Sequence, residues 1–169
     1  MSEAEKTDAG KIDVPKPMKK SAARLGAVQA LYQMDVAATP LSEIFAQFES
    51  FWLGQEVEGT QYPEADRRLF RDVVEGVLRE QREIDPKVDE ALSQGWPLRR
   101  VEAVLRACLR AGAYELMCRP DVPARVVIAE YVNVAGAFLD RDETGMVNAV
   151  LDSLARTARA GEFNRPGAA

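Results

Sequence analysis

Apolar residues recur at three- and four-residue spacing through nearly the whole chain, and no stretch alternates with the two-residue period of a half-buried strand. That pattern confines the chain to helices packed on helices. A first helix is expected over about Ser21 to Val36, capped by Ser21, with Leu25, Val28, Leu31 and Tyr32 on one face. Thr39-Pro40 opens a second helix, whose stripe of Leu41, Ile44, Phe45, Phe48, Phe51 and Trp52 demands deep burial. A polar loop around Gly54 and Gly59 leads to a third helix near Pro63, bearing Leu69, Phe70, Val73, Val74, Val77 and Leu78. Asp85-Pro86 reads as a fresh cap and first position for a short fourth helix, which Gly95-Trp96-Pro97 ends. The fifth, from Leu98 to Met117, is the most apolar, and its small Gly112 and Ala113 predict a close neighbour at the centre of the molecule. A sixth helix carries Val127 to Phe138 and a seventh Met146 to Leu154. The expectation is an all-α fold, a compact bundle of about seven helices over residues 19–160. A flexible basic arm at 1–18 and a disordered tail at 161–169 flank it.

Composition narrows the chemistry. With 169 residues, 47% of them hydrophobic, the chain can bury one substantial core. No apolar run reaches the ~18 residues a membrane span needs. The N-terminus is polar and lysine-bearing, and Cys108 and Cys118 form no CxxC pair, so a cytoplasmic protein with packed, reduced thiols is expected. There is no histidine, which removes the usual general base, nucleophile activator and zinc ligand together. No glycine pattern suited to cradling phosphate precedes a helix. Asp140 and Asp142 read as a solvated turn; the alternative, a divalent cation site, would need further oxygen ligands from elsewhere. A non-enzymatic protein without metal or cofactor is the expectation.

Charge is segregated. The chain carries a net −5, yet Lys11, Lys16, Lys19, Lys20 and Arg24 face only Asp13 over residues 11–24. From Pro40 to Asp66, by contrast, every charged residue is acidic. A phosphate backbone responds to the field within roughly a Debye length, ~8 Å at physiological salt, so a local basic face can bind nucleic acid on an acidic protein. Lys20 and Arg24 are one helical turn apart and are expected at an exposed helix start, with Lys16 and Lys19 following from the arm. Cations at a helix N-terminus oppose the macrodipole, which favours a binding role over a stabilising one; a solvated helix end is the other reading. Arg67, Arg68 and Arg71 form a second basic group, interleaved with Asp72 and Glu75, for which ordinary surface pairing is the default.

Several segments carry a family resemblance. Arg24-Leu25-Gly26-Ala27-Val28-Gln29-Ala30-Leu31-Tyr32 resembles the opening of NusB family proteins, where an arginine-rich arm leads into an AVQALY-like helix. Val104-Leu105-Arg106 with Ala113-Tyr114-Glu115-Leu116, Asp121-Val122-Pro123 with Val127-Ile128-Ala129-Glu130, and Met146-Val147-Asn148-Ala149-Val150-Leu151-Asp152 are similar to further family segments in the same order. Together they span about Lys19 to Ala158.

The resemblance implies two helical subdomains around a shared long helix, and no catalysis. It implies binding of single-stranded boxA-like RNA and pairing with NusE, a protein of the small ribosomal subunit. Together these load an antitermination complex on RNA polymerase, notably during ribosomal RNA synthesis. With the basic groups read from charge and spacing, Lys16, Lys19, Lys20, Arg24 and Gln29 are the RNA-binding candidates, followed by Arg67, Arg68, Arg71 and Met146. The chain departs from the family in having Lys19-Lys20 where relatives run arginines, Ala129 for asparagine, Gly136 for lysine and Met146 for phenylalanine. Lysine lacks the bidentate fork of arginine, and methionine offers no stacking ring, so weaker RNA contact and more reliance on the partner are expected. The rival reading is a helical protein–protein module, a homodimer being one form of it, without RNA binding; salt-dependent RNA binding separates the two.

Overall fold

The computed structural model describes residues 16–51, 56–57, 60–61, 66–92 and 97–163. Helices dominate: α1 (Lys16–Ala37), α2 (Leu41–Phe51), α3 (Arg67–Ala91), α4 (Ala103–Cys118), α5 (Ala124–Gly136), α6 (Arg141–Ala158) and a single turn, α7 (Ala160–Phe163). A 3₁₀ turn at Leu98–Arg100 precedes α4. Between α2 and α3 the structure places a minimal antiparallel ladder, β1 (Glu56–Val57) with β2 (Thr60–Gln61), pairing Glu56 with Gln61 and Val57 with Thr60. This hairpin falls where a plain loop was expected; two residues per strand are too few to show alternation. The fold class is all-α. The expectations for Phe51, Trp52, Gly54, Gly59 and Trp96 concern side chains or backbone outside the described residues.

The third and fourth expected helices are one. α3 runs straight through Pro86, whose missing N–H and ring clash ordinarily disfavour a helix interior by ~3 kcal/mol. Ile84 and Val88, four apart and both fully buried, hold that face against the core. Asp85 is gripped by the Arg110 guanidinium, Nε to Oδ1 and Nη2 to Oδ2, each at 2.9 Å. Tertiary contacts thus outweigh the local break. The start of α3 also lies later than Pro63: Asp66 is the cap, its Oδ1 accepting from the Leu69 N–H at 3.0 Å. The expected tail contributes α7, whose Glu162 accepts from the Ala124 N–H at 2.9 Å and so closes the start of α5.

α4 is the central helix, touching α1, α3, α5 and α6, with Leu105, Cys108, Leu109, Ala111, Gly112, Ala113 and Leu116 buried. α2 closes one side on α1 and α3, while α5 and α6 pair on the other, and one continuous core joins both halves. Small residues set the spacing. A Cβ on Gly112 would stand 2.7 Å from Leu151 Cδ1 of α6, confirming the close approach read from sequence. At Gly76 of α3 a Cβ would lie 2.2 Å from Tyr114 Cζ, so the tyrosine ring of α4 rests on bare backbone. The same ring donates its hydroxyl to Asp72 Oδ1 at 2.8 Å, one turn earlier on α3. Burial, then Asp72, push the Tyr114 phenol up to about 12. Burial likewise pushes the Cys108 thiol up to about 12, which leaves it unreactive at neutral pH.

Candidate nucleic-acid interface

α1 begins at Lys16 and carries its lysines in the first two turns, with no acid in the first turn to complement the macrodipole. Ser21 lies inside the helix rather than capping it. Its hydroxyl contacts the Pro17 carbonyl at 3.1 Å and Glu130 Oε2 of α5 at 2.8 Å. Lys20 is exposed and Lys19 half-buried; Lys16 belongs to α1, its side chain outside the described residues.

Arg24 corrects the sequence reading. It is 2% exposed and cannot meet a phosphate. Its guanidinium forks onto the fully buried Glu115 of α4, Nε to Oε2 at 2.8 Å and Nη2 to Oε1 at 2.9 Å. Tyr131 of α5 donates its hydroxyl to Glu115 Oε2 as well, and Glu130 Oε2 stands 3.7 Å from Arg24 Nη1. The i,i+4 relation to Lys20 holds along the sequence, but the helix turns the two side chains to opposite environments. Burial pulls the Arg24 pKa down, yet the hydrogen bond and charge of Glu115 more than offset it, and the net shift is upward. Burial and the Glu115 carboxylate together hold the Tyr131 phenol well above its ordinary range. Three helices meet at this ion pair, and sequence gave one clue to it: a charged Glu115 inside the most apolar helix.

Asp66 N–H donates to the Lys19 carbonyl at 3.0 Å, which seats the start of α3 against the start of α1. Two basic groups 47 positions apart in sequence (Lys20 and Arg67) are thereby neighbours. Arg67 and Arg68 are exposed and make no hydrogen bond or ion pair among the described residues, against the expectation of surface pairing. Arg71 differs: its guanidinium sits 5.0 Å over the Phe45 ring of α2. The nearby carboxylates are occupied. Arg119, at the end of α4, binds Asp72 Oδ2 at 2.5 Å and Asp121 Oδ2 at 3.0 Å. Its hydrogen bond holds Asp121 below the usual carboxylate range, helped by the charge of Lys20.

Gln29 and Met146 lie apart from this cluster. Gln29 is half-buried on α1, and its Oε1 is buried without a partner among the described residues. It sits on the outward face of α1 with Met18, Ala22, Leu25, Tyr32 and Val36, at successive spacings of four and three residues. Met18 (54% exposed), Tyr32 (39%) and Val36 (60%) are open, an unusual concentration of apolar surface on one helix. Beside Met18, Ala22 and Leu25 a groove of about 800 Å³ opens against Val132 and Gly136 of α5. Met146 is half-buried in the first half of α6, packed against the core. Asp140 caps α6, accepting from the Glu143 N–H at 2.8 Å, which explains the acid-rich turn.

A helical bundle with an ion pair sealed beneath an open basic edge has the form of a binding adaptor. The NusB family model matches residues 21–156. A transcription antitermination protein NusB from Bradyrhizobium diazoefficiens is 60% identical over 165 residues, covering 98% of this chain and 99% of the relative. One from Rhodopseudomonas palustris strain TIE-1 is 61% identical over 150 residues, 89% of this chain and 86% of the relative. The chain belongs to the NusB family: it is a transcription antitermination factor and not an enzyme. Solved structures agree in fold. T. maritima NusB superposes with a TM-score of 0.68 at 24% identity, covering 90% of this chain and 99% of that one. The NusB of a complex of antitermination factors NusB and NusE with double-stranded RNA superposes with 0.66 at 23% identity, covering 81% and 96%. No described helix is long and apolar enough to cross a membrane.

Proposed function

We propose that this chain binds single-stranded boxA-like RNA jointly with NusE, in the cytoplasm, as part of an RNA polymerase antitermination complex serving ribosomal RNA synthesis. The observation that carries the RNA half is the basic start of α1, where Lys19 and Lys20 stand with no first-turn acid while Arg24 is sealed away beneath them. Lys16, four residues before Lys20 in sequence, joins them in this reading. These lysines neutralise phosphates and release counterions, which gives affinity with little base selectivity. The solved relative bound to NusE and RNA supports the pairing of partners, although its RNA is double-stranded.

The protein half rests on the outward face of α1. An apolar stripe at helical spacing, continued into the groove on α5, offers the surface a partner protein would cover. Gln29 lies within that stripe, and a partner could supply the hydrogen bond its buried oxygen lacks. Met146, without an aromatic ring, is a packing residue at the margin of the RNA reading.

The test is a titration of boxA-like RNA, with and without NusE, across a range of salt. Binding should be weak and steeply salt-dependent alone, and tighter with NusE. Salt-independent or absent RNA binding in both conditions would leave the rival, a protein–protein module. Tyr32→Glu with Val36→Glu, about 18 Å or more along α1 from Lys20 and so beyond a Debye length, should weaken NusE binding while leaving the salt slope for RNA alone unchanged. A loss of self-association instead would make a second copy of the chain the occupant of that face.

A further inference from the structure

We propose that Arg67 and Arg68, at the start of α3, form a second phosphate-binding station, so that the RNA strand crosses from α1 onto α3. The inference rests on the reading of Lys19 and Lys20 as phosphate contacts. Its own support is threefold.

The first support is placement. The Asp66 N–H to Lys19 carbonyl bond at 3.0 Å fixes the two helix starts side by side, so that Arg67 and Arg68 follow directly from the point of contact. A strand lying on Lys20 needs no bend in the protein to reach them. The second is charge accounting. Asp66 is committed to the Leu69 N–H, and Asp72 and Asp121 are both bound by Arg119. These three carboxylates are thus engaged elsewhere, and both guanidinium groups stand exposed without a partner among the described residues. Arg71 is set apart by its seat over Phe45. The third is chemistry. The arm of this chain offers lysines, which meet phosphate as point charges; a guanidinium grips two phosphate oxygens at once. The forked contact missing from the α1 edge is available from α3. The ligand class is consecutive phosphodiesters of a single strand, read by backbone rather than base.

The experiment measures binding of a boxA-like single-stranded RNA oligonucleotide to the full chain by fluorescence anisotropy, as a function of salt. Variants are Arg67→Ala/Arg68→Ala, Lys19→Ala/Lys20→Ala and Arg67→Lys/Arg68→Lys. Arg82→Ala/Lys87→Ala, farther along α3, is the charge-matched control. The alanine pair on α3 should flatten the log–log salt slope by ~1.4, at ~0.7 per single-strand phosphate contact. The lysine pair should restore the slope with lower affinity than arginine. The control should leave the slope unchanged. If the α1 pair flattens the slope while the α3 pair does not, the strand stays on α1; this inference fails and the reading of Lys19 and Lys20 stands. If neither pair matters, both fail. An equal effect from the control would reduce the α3 arginines to a general field, which also overturns the station.

Discussion

Lys20 and Arg24 are one turn apart on α1 and carry the same charge, yet they occupy opposite worlds. Lys20 lies open beside the start of α3; Arg24 is closed beneath α4 and α5 and forked onto Glu115. The difference teaches that a basic motif read along a sequence is a mixture until a fold separates it. Position on the helix decides which cation holds the bundle together and which remains for a ligand. Sealing Arg24 is also what fixes the α1 start, since its partners come from two other helices.

The largest effect expected from breaking this contrast is on stability. Arg24→Ala or Glu115→Ala leaves a buried charge without its partner and should destabilise the fold by about 3–5 kcal/mol, measured by urea unfolding. A variant of either kind that kept wild-type stability would dissolve the distinction between the two residues. Tyr131→Phe removes one hydrogen bond to the buried carboxylate and should lower stability by about 1.5–3 kcal/mol, towards the lower figure because Arg24 still holds both oxygens.

The same substitution sharpens the contrast by pH. The Tyr131 phenol is raised in the folded state, so its contribution is complete below the unfolded value of about 10 and is lost as pH rises beyond it. Wild type should therefore lose stability more steeply than Tyr131→Phe above about pH 10. Cys108, raised to about 12, adds a similar alkaline loss in both proteins. The smallest stability effect belongs to the open side. Lys19→Ala/Lys20→Ala should change unfolding by no more than about 0.5 kcal/mol, while flattening the RNA salt slope by ~1.4.

The helical class, the core stripes and the central position of α4 were legible because burial on a helix leaves a 3.6-residue signature that needs no partner to be read. Pro86 misled because local propensity is a weak force beside two buried aliphatics and a forked Arg110. The family was legible in the ordered segments from Arg24 to Asp152. The fate of Arg24 was not, because its counter-charge, Glu115, is 91 positions away, and nothing local announces that an arginine faces inward. The union of Lys19–Lys20 with Arg67–Arg68 was equally hidden: it depends on a backbone bond between two helix starts.

The seat of Tyr114 on Gly76 has a consequence for how the bundle finds its alignment. A phenol ring that needs bare backbone beneath it and Asp72 at its hydroxyl fits α3 at one setting only. Sliding α4 along α3 by one helical turn would bring Val73 or Glu80, each with a side chain, under the ring and strip the hydroxyl of its acceptor. Gly76 and Tyr114 therefore behave like a key cut for one notch. Slipped pairings of α3 and α4 are discriminated against by shape and by hydrogen bonding at once, and the Arg110–Asp85 fork between the same two helices holds the same register.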